Sequence, residues 1–301
     1  MKFAILTLLF HFSLLHAQQI PDQLGQILES LRNDQSGQLT GIAKSLLGEN
    51  GGNKLFYYPT RDTPYNPQKY GRKFEDVTFT AVDKTKLTGW FIPSAKTTKP
   101  LGTVVFSHGN TGSMAYHLGF VNWLPDAGYN VFLYDYRGFG KSDGTPTRSG
   151  IVSDVVAAFQ YVNQRTDVAG GKIFSLGHSL GGAKSIVALA QTKVANLRGV
   201  ITDGTFASYQ GMAVHLAGNF GKNMVTDELS PKDYVAKLPV PLLMIHGTDD
   251  QVVPIDQGRQ LFAAAVPRKL FFEVKGGHHG DSLLLNQGAY RKKMLEWMQK
   301  Y

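Results

Sequence analysis

A serine set among small residues is the first feature of this chain that could do chemistry. Residues 177–182 have the sequence GHSLGG, which puts Ser179 in the pattern Gly-x-Ser-x-Gly. The short apolar run before it, residues 173–176, is typical of a buried strand, and residues 183–190 have the composition of a helix packed close to its neighbours. A strand, a tight turn and a helix hold such a serine at the edge of a sheet, beside the N–H groups of the helix N-terminus. Ser179 is therefore a candidate nucleophile.

A second Gly-x-Ser-x-Gly match occurs at residues 140–144, around Ser142. No strand directly precedes it, and the sequence Gly-Thr-Pro at residues 144–146 prevents a helix from starting there. We interpret Ser142 as a loop serine. The same segment ends like a phosphate-binding P-loop, but position 135, where that motif needs its first glycine, is Asp135.

A serine hydroxyl becomes a good nucleophile only when a base takes its proton and a carboxylate orients the base. The chain order expected around this type of serine is serine, acid, histidine. Residues 247–254 (GTDDQVVP) and residues 276–280 (GGHHG) follow two later apolar runs, in that order. Loops that follow parallel strands meet at one edge of the sheet, so these two loops are expected near Ser179.

Each of these loops offers two candidates, Asp249 or Asp250 and His278 or His279. Asp249 could instead cap a turn, and either histidine could be a surface residue. A metal site built from His278, His279 and Asp281 has the right residue types, but the adjacent histidines suit it poorly.

The elements that must position these residues follow a regular order. Residues 77–79 and 87–92 alternate like two antiparallel strands, and short unbroken apolar runs then suggest strands buried on both faces. Segments with helical spacing separate the runs, which predicts a doubly wound sheet. The runs are residues 103–106, 131–134, 173–176, 200–201, 242–245 and 270–272, and the helical segments are residues 115–126, 150–164, 182–192, 255–265 and 283–299.

Three segments lie outside this alternation. Residues 1–17 combine Lys2, an apolar stretch and a small residue at Ala17, as in a cleaved signal peptide. The leader predicts a periplasmic or secreted protein; the alternative is a membrane tether formed by an uncleaved leader. Residues 18–73 are expected to be a polar N-terminal extension that packs on the core. The main domain is predicted at residues 74–301, with a lid insertion at residues 204–238.

The composition excludes several classes of protein. Hydrophobic residues make up 43% and charged residues 18% of 301 residues, which argues against a disordered or polytopic membrane protein. The absence of cysteine excludes disulfides, thiolate zinc sites and a cysteine nucleophile. The net charge of +8 comes from scattered basic residues without interleaved aromatics, so we expect no nucleic-acid partner.

Several motifs together resemble the α/β-hydrolase superfamily: residues 177–182 (GHSLGG), 246–254 (HGTDDQVVP) and 276–278 (GGH). Others resemble its bud-emergence-protein-like, serine-aminopeptidase-like branch: residues 107–110 (SHGN), 135–142 (DYRGFGKS) and 230–234 (SPKDY). The resemblance covers about residues 74–299. It implies an α/β-hydrolase fold, which is a mostly parallel, doubly wound sheet of about eight strands with a short helical lid. In that family the serine forms an acyl-enzyme, which water hydrolyses.

Carried over to this chain, the resemblance implies Ser179 as the nucleophile, Asp250 as the acid and His278 as the base. Asp249 and His279 remain the alternatives for the last two roles.

The resemblance also implies that the backbone N–H groups of Asn110 and Leu180 form the oxyanion hole. His108 would orient the first of these loops. Asp135 and Arg137, just after a predicted strand, are expected to form ion pairs or to brace a loop. No cofactor and no metal are implied.

The expected function is that of an exported serine hydrolase, which cleaves carboxylic ester or thioester bonds. Peptide cleavage is an option within the same mechanism. The expected partner is a small-molecule or lipid-like ester, with weak contact to a membrane surface. The alternatives are a non-catalytic binding or scaffold protein on a hydrolase fold, and a membrane-surface lipase or depalmitoylating enzyme that uses the positive charge.

Overall fold

Ten strands occur in the part of the chain that the computed structural model describes, residues 51–266 and 268–301. They are β1 (Tyr58–Pro59), β2 (Glu75–Thr80), β3 (Lys86–Ile92), β4 (Thr103–Ser107), β5 (Thr111–Gly112), β6 (Asn130–Asp135), β7 (Ile173–His178), β8 (Leu197–Asp203), β9 (Leu242–Gly247) and β10 (Lys269–Val274). The predicted leader, residues 1–17, and the extension up to residue 50 lie outside the described residues.

Eight of these strands form one sheet in the order β10-β9-β8-β7-β4-β6-β3-β2. The six strands from β10 to β6 run parallel, while β3 is antiparallel to both β6 and β2. β1 and β5 form a separate parallel pair. The expected mostly parallel sheet of about eight strands is confirmed, including the antiparallel pair at its start.

Six α-helices occur in the same described residues. They are α1 (Met114–His117), α2 (Arg148–Gln164), α3 (Leu180–Gln191), α4 (Tyr209–Met224), α5 (Ile255–Ala264) and α6 (Leu285–Lys300). Short 3-10 helices are Gly51–Phe56, Pro67–Tyr70, Leu118–Phe120, Pro231–Asp233 and Val235–Lys237. No helix in residues 51–266 or 268–301 is both long and apolar enough to cross a membrane.

The expected continuous helix over residues 115–126 is wrong. The structure has α1, then the 3-10 helix Leu118–Phe120 and turns up to β6. Gly119 and Pro125 lie within this segment; glycine is a poor helix former and the proline ring cannot continue a helix.

Alternate residues of the central strands pack on opposite faces of the sheet. Val104 and Phe106 belong to the same buried cluster as Met294 of α6. On the other face, the ring of Phe132 lies 5.1 Å from that of Tyr161 in α2. Burial on both faces explains why these strands read as unbroken apolar runs in the sequence.

The last predicted run, residues 270–272, is the exception. β10 is an edge strand, and Leu270 is exposed while Phe271 and Phe272 are half-buried. The expectation that this run is buried on both faces is therefore wrong.

The described chain divides into two compact units, one of residues 51–56 and 208–228 and one of residues 57–207 and 229–301. In the first, the Asn53 side chain donates to Thr226 Oγ1 at 3.1 Å, and the rings of Phe56 and Tyr209 meet edge-on at 4.9 Å. α4 is kinked at residues 217–218. The second unit contains the eight-stranded sheet. The predicted lid boundaries, residues 204–238, stay a prediction.

A buried ion pair fixes the loop that follows β6. Asp154 of α2 accepts hydrogen bonds from the Arg137 backbone N–H at 2.8 Å and from its guanidinium at 2.8 and 3.0 Å. The half-exposed Asp83 contacts the same guanidinium at 2.7 Å. Arg137 thus joins the β2–β3 turn to α2 and holds the β6 loop between them.

We expect Asp154→Ala to lower the free energy of unfolding by about 3–5 kcal/mol, because it leaves a buried guanidinium without its main partner. Asp83→Ala is the matched control and should cause a much smaller decrease, since water can replace an exposed carboxylate. Urea unfolding monitored by fluorescence measures both. Equal decreases would contradict the role given to Asp154.

Candidate active site

Ser179 lies at a strained turn between β7 and α3. Its backbone angles are φ 53° and ψ −117°, and it precedes the first residue of the helix. The Ser179 N–H donates to the Asp203 carbonyl oxygen at 2.8 Å, which ties the turn to the end of β8. A non-glycine residue with positive φ is costly and occurs most often where function requires it.

The glycines around Ser179 are needed because backbones approach each other closely here. A Cβ atom on Gly181 would lie 1.9 Å from the Ser107 carbonyl oxygen, and one on Gly177 would lie 2.4 Å from the Gly182 Cα. No side chain fits in that space. The loop after β4 therefore lies directly against the N-terminus of α3, beside Ser179.

Asp250 is buried in the loop between β9 and α5. Its Oδ1 accepts the backbone N–H groups of Val252 at 2.9 Å and Val253 at 2.8 Å. Its Oδ2 is 2.7 Å from His279 Nδ1 and 3.4 Å from His246 Nε2. By contrast, the Asp249 carboxylate contacts the Thr248 hydroxyl at an exposed position.

Burial opposes ionisation of Asp250, but its hydrogen bonds with His246 and His279 outweigh burial and hold its pKa below the ordinary value. His246 Nε2 is also 2.8 Å from the Val253 carbonyl oxygen, so His246 donates at that nitrogen. The carboxylate is thus ionised and fixed in orientation, and one of the two imidazoles lies within 2.7 Å of its Oδ2.

That imidazole belongs to His279, and the expectation that His278 would pair with the acid is corrected. The side chain of His278 is 65% exposed, and its Nδ1 lies 3.4 Å from Asp281 Oδ2. The side chain of His279 is only 15% exposed and makes the 2.7 Å contact with Asp250.

The close packing of two backbone segments explains why His279, rather than His278, contacts Asp250. A Cβ atom on Gly247 would lie 2.2 Å from the Gly277 carbonyl oxygen, so these two residues are in direct contact. The next residue, His278, starts a turn in which its N–H donates to Asp281 Oδ1 at 2.7 Å. His279 is then the first side chain that can turn inward.

His279 and Ser179 lie on either side of residues 203–204. Ser179 is bonded to the Asp203 carbonyl, and a Cβ atom on Gly204 would lie 3.1 Å from His279 Nδ1 and 3.4 Å from Asp250 Oδ2. The ring of His178, the residue before Ser179, lies 4.6 Å from the ring of His279. The serine, the imidazole and the carboxylate thus share one small region of the sheet edge.

The loop with Asn110 borders the same region. A Cβ atom on Gly109 would lie 3.4 Å from His178 Cδ2, so the backbone just before Asn110 faces the residue before Ser179. Leu180, the other expected donor, is the first residue of α3. Helix N-termini and such loops present N–H groups that favour negative charge.

Residues at the end of β6 brace this loop. The Asp135 carboxylate accepts the Met114 N–H at 2.6 Å and lies 3.5 Å from His108 Nε2. The Tyr136 hydroxyl donates to the His108 carbonyl oxygen at 2.8 Å. These contacts support the interpretation of Asp135 as a loop brace, and the orienting role expected for His108 stays a prediction.

The second serine match has a different environment. The Ser142 hydroxyl donates to the Asp135 carbonyl oxygen at 2.8 Å and accepts the Thr88 N–H at 2.9 Å. Both contacts are to backbone, and a loop rather than a helix follows, so Ser142 joins β3 to the loop after β6.

Three buried polar residues near the site were missed in the sequence: His178, Asp203 and His246. His178 and Asp203 are the last residues of β7 and β8, and His246 is the penultimate residue of β9, so each follows a predicted apolar run by one or two positions. A polar residue at that position was the signal available. In the described part of the chain, no group of three or more histidine, aspartate or glutamate side chains could hold a metal ion.

Comparison with known proteins identifies the family. A family model described as serine aminopeptidase, S33, matches residues 98–231. The uncharacterized protein YfhR of Escherichia coli (strain K12) is 37% identical over 248 residues, covering 81% of this chain and 86% of YfhR. The α/β-hydrolase domain-containing protein WAV2 of Arabidopsis thaliana is 30% identical over 271 residues, covering 82% and 87%.

Solved structures share the fold. An esterase of Pyrococcus furiosus superposes with a TM-score of 0.70 at 19% identity, covering 82% of this chain and 98% of the esterase. With the sheet order, the motifs and these relatives together, the chain belongs to the α/β-hydrolase superfamily.

Proposed function

We propose that this protein is an exported serine hydrolase that cleaves carboxylic ester or thioester bonds through an acyl-enzyme. Ser179 is the nucleophile, His279 the base and Asp250 the acid. The 2.7 Å contact between His279 and Asp250, beside the strained turn at Ser179, carries the proposal. The leader pattern at residues 1–17 supports export.

In the first half of the reaction, the Ser179 Oγ attacks the substrate carbonyl carbon while the Nε2 of His279 takes the hydroxyl proton. The carbonyl oxygen becomes negative, and the backbone N–H groups of Asn110 and Leu180 stabilise it. When the tetrahedral intermediate collapses, the imidazolium gives its proton to the departing alcohol or thiol. The acyl group stays on Ser179.

In the second half, water attacks the acyl carbon and His279 takes the water proton. Collapse of this second intermediate breaks the bond to Ser179 Oγ, which recovers its proton from His279. The carboxylic acid leaves. Asp250 stays ionised throughout and orients the ring through Nδ1, leaving Nε2 to move the protons.

The bond that is cleaved is proposed as an ester or thioester because the supporting solved relative is an esterase. An amine leaving group needs the same residues, and both the family model and an acylaminoacyl peptidase of Pyrococcus horikoshii are named for peptide substrates. A panel of nitrophenyl esters, thioesters and aminoacyl amides, run on the same preparation, ranks these substrate classes by kcat/KM.

Ser179→Ala should lower the turnover of nitrophenyl esters by at least about a thousandfold, because no other group can form the acyl-enzyme. It should also abolish labelling by a fluorophosphonate. Ser142→Ala is the matched control and should still be labelled. Undiminished labelling of the Ser179 variant would refute the proposed nucleophile.

The two adjacent histidines allow a matched comparison. His279→Ala should lower kcat by at least about a thousandfold, because Ser179 loses its base. His278→Ala should change kcat by no more than about twofold, as expected for an exposed residue outside the site. Steady-state kinetics on both variants decides the assignment, and the reverse order of effects would restore His278 as the base.

The pH dependence of kcat/KM tests whether the base is an imidazole. The value of kcat/KM should rise between about pH 5 and 8, where an imidazole loses its proton, since only the neutral base can accept one. The pKa of Asp250 is held below its ordinary value, so Asp250 is already ionised in this range and does not cause the rise. Asp250→Asn should lower kcat by about ten-thousandfold at every pH. A flat profile would contradict an imidazole base.

A further inference from the structure

The ring of His178 lies where three loops of the proposed site meet. One side of the ring faces Phe120, with ring centres 4.4 Å apart, and His279 lies 4.6 Å away. Cβ atoms on Gly109 and Gly280 would lie 3.4 and 3.3 Å from the ring carbons, so both backbones contact its edge. The ring therefore separates the loop with Asn110 from the loop with His279, next to Ser179.

Asp203 faces this ring from the end of β8. Its Oδ2 lies 3.4 Å from His178 Nδ1, and both groups are buried. In the described part of the chain, neither oxygen of this carboxylate accepts a hydrogen bond of ordinary geometry, so His178 is the polar partner available to it. The Asp203 carbonyl oxygen also accepts a hydrogen bond from the Ser179 N–H. Asp203 therefore contacts both His178 and Ser179 at this turn.

The charge state of His178 follows from its surroundings. Burial lowers the pKa of His178 below the ordinary value, and repulsion from His279 acts in the same direction, while Asp203 and Asp250 oppose this decrease. His117, the other imidazole facing it at 6.3 Å, also has a pKa lowered by burial. His178 is thus neutral at neutral pH and adds no positive charge beside His279 when that residue becomes protonated.

We propose that His178, held by Asp203, is a positioning residue: its ring sets the spacing between the loop with Asn110, Ser179 and His279. This inference rests on the proposed function. A displacement of about 1 Å between reacting groups can cost about a hundredfold in rate, so the spacing matters more than the polarity of the ring.

Two variants distinguish the effect of the bulk of the His178 ring on the rate from the effect of its polarity. His178→Ala removes the spacer and should lower kcat about 10- to 100-fold with KM changed by less than about threefold. His178→Phe combined with Asp203→Asn restores a ring and leaves no buried carboxylate without a partner. It should recover kcat to within about fivefold of the wild type. His278→Ala serves as the histidine-to-alanine control outside the cluster.

The single variant Asp203→Asn provides a second test if His178→Ala fails to fold. It keeps the size of the side chain but removes the carboxylate that lies 3.4 Å from His178 Nδ1. A ring that is held less firmly should lower kcat per fluorophosphonate-labelled site by about threefold to tenfold with little change in KM, whereas partial misfolding would lower only the number of labelled sites. An unchanged kcat per labelled site would overturn the part assigned to Asp203.

The remaining outcomes are distinguishable with wild type and Ser179→Ala as references. If these two hydrolyse esters equally, the proposed function fails, and this inference fails with it. If wild type is faster but His178→Ala keeps the wild-type kcat, only the positioning role fails. The positioning role is also overturned if the variant with the restored ring is as slow as the alanine variant.

Discussion

The close approach of two backbones at Gly181 and Ser107 is the constraint on which the rest of this site depends. With a Cβ atom of Gly181 excluded at 1.9 Å, α3 can begin directly against the end of β4. This contact brings the loop with Asn110 next to the N-terminus of α3, where Ser179 occupies a turn with positive φ. The strain at Ser179 persists because strands on both sides hold the turn in place.

The two carboxylates buried at this sheet edge, Asp250 and Asp203, differ in how fully they are hydrogen-bonded. Asp250 accepts two backbone N–H groups and faces two imidazoles, so its desolvation is offset by contacts to its ionised form. Among the described residues, the Asp203 carboxylate accepts no hydrogen bond of ordinary geometry, and its Oδ2 lies 3.4 Å from His178 Nδ1. The two carboxylates therefore differ in environment: Asp250 lies 2.7 Å from His279, whereas Asp203 lies 3.4 Å from His178. This difference is consistent with the different roles proposed for them.

Much of the fold could be predicted from the sequence, because short local patterns determine where the strands and the tight turn lie. Unbroken apolar runs such as residues 103–106 and 131–134 can be buried on both faces only in a parallel sheet, and the small residues at 177–182 fit only a tight turn. The positions of β7, β9 and β10 within the sheet then follow the strand order that is common in doubly wound sheets. The prediction failed at residues 115–126, where Gly119 and Pro125 interrupt the helix locally, and at β10, whose position at the edge of the sheet leaves its apolar run half-exposed.

The sequence by itself determined the sheet, the turn at Ser179 and the two loops that had to supply an acid and a base. It left Asp249 against Asp250 and His278 against His279 open, because adjacent loop residues differ by one position in the sequence but point to opposite sides. Only the tertiary structure decided between them: the contact of Gly247 with Gly277 fixes the register of the second loop, and that register turns His279 inward. A contact between residues thirty positions apart cannot be read from either segment alone.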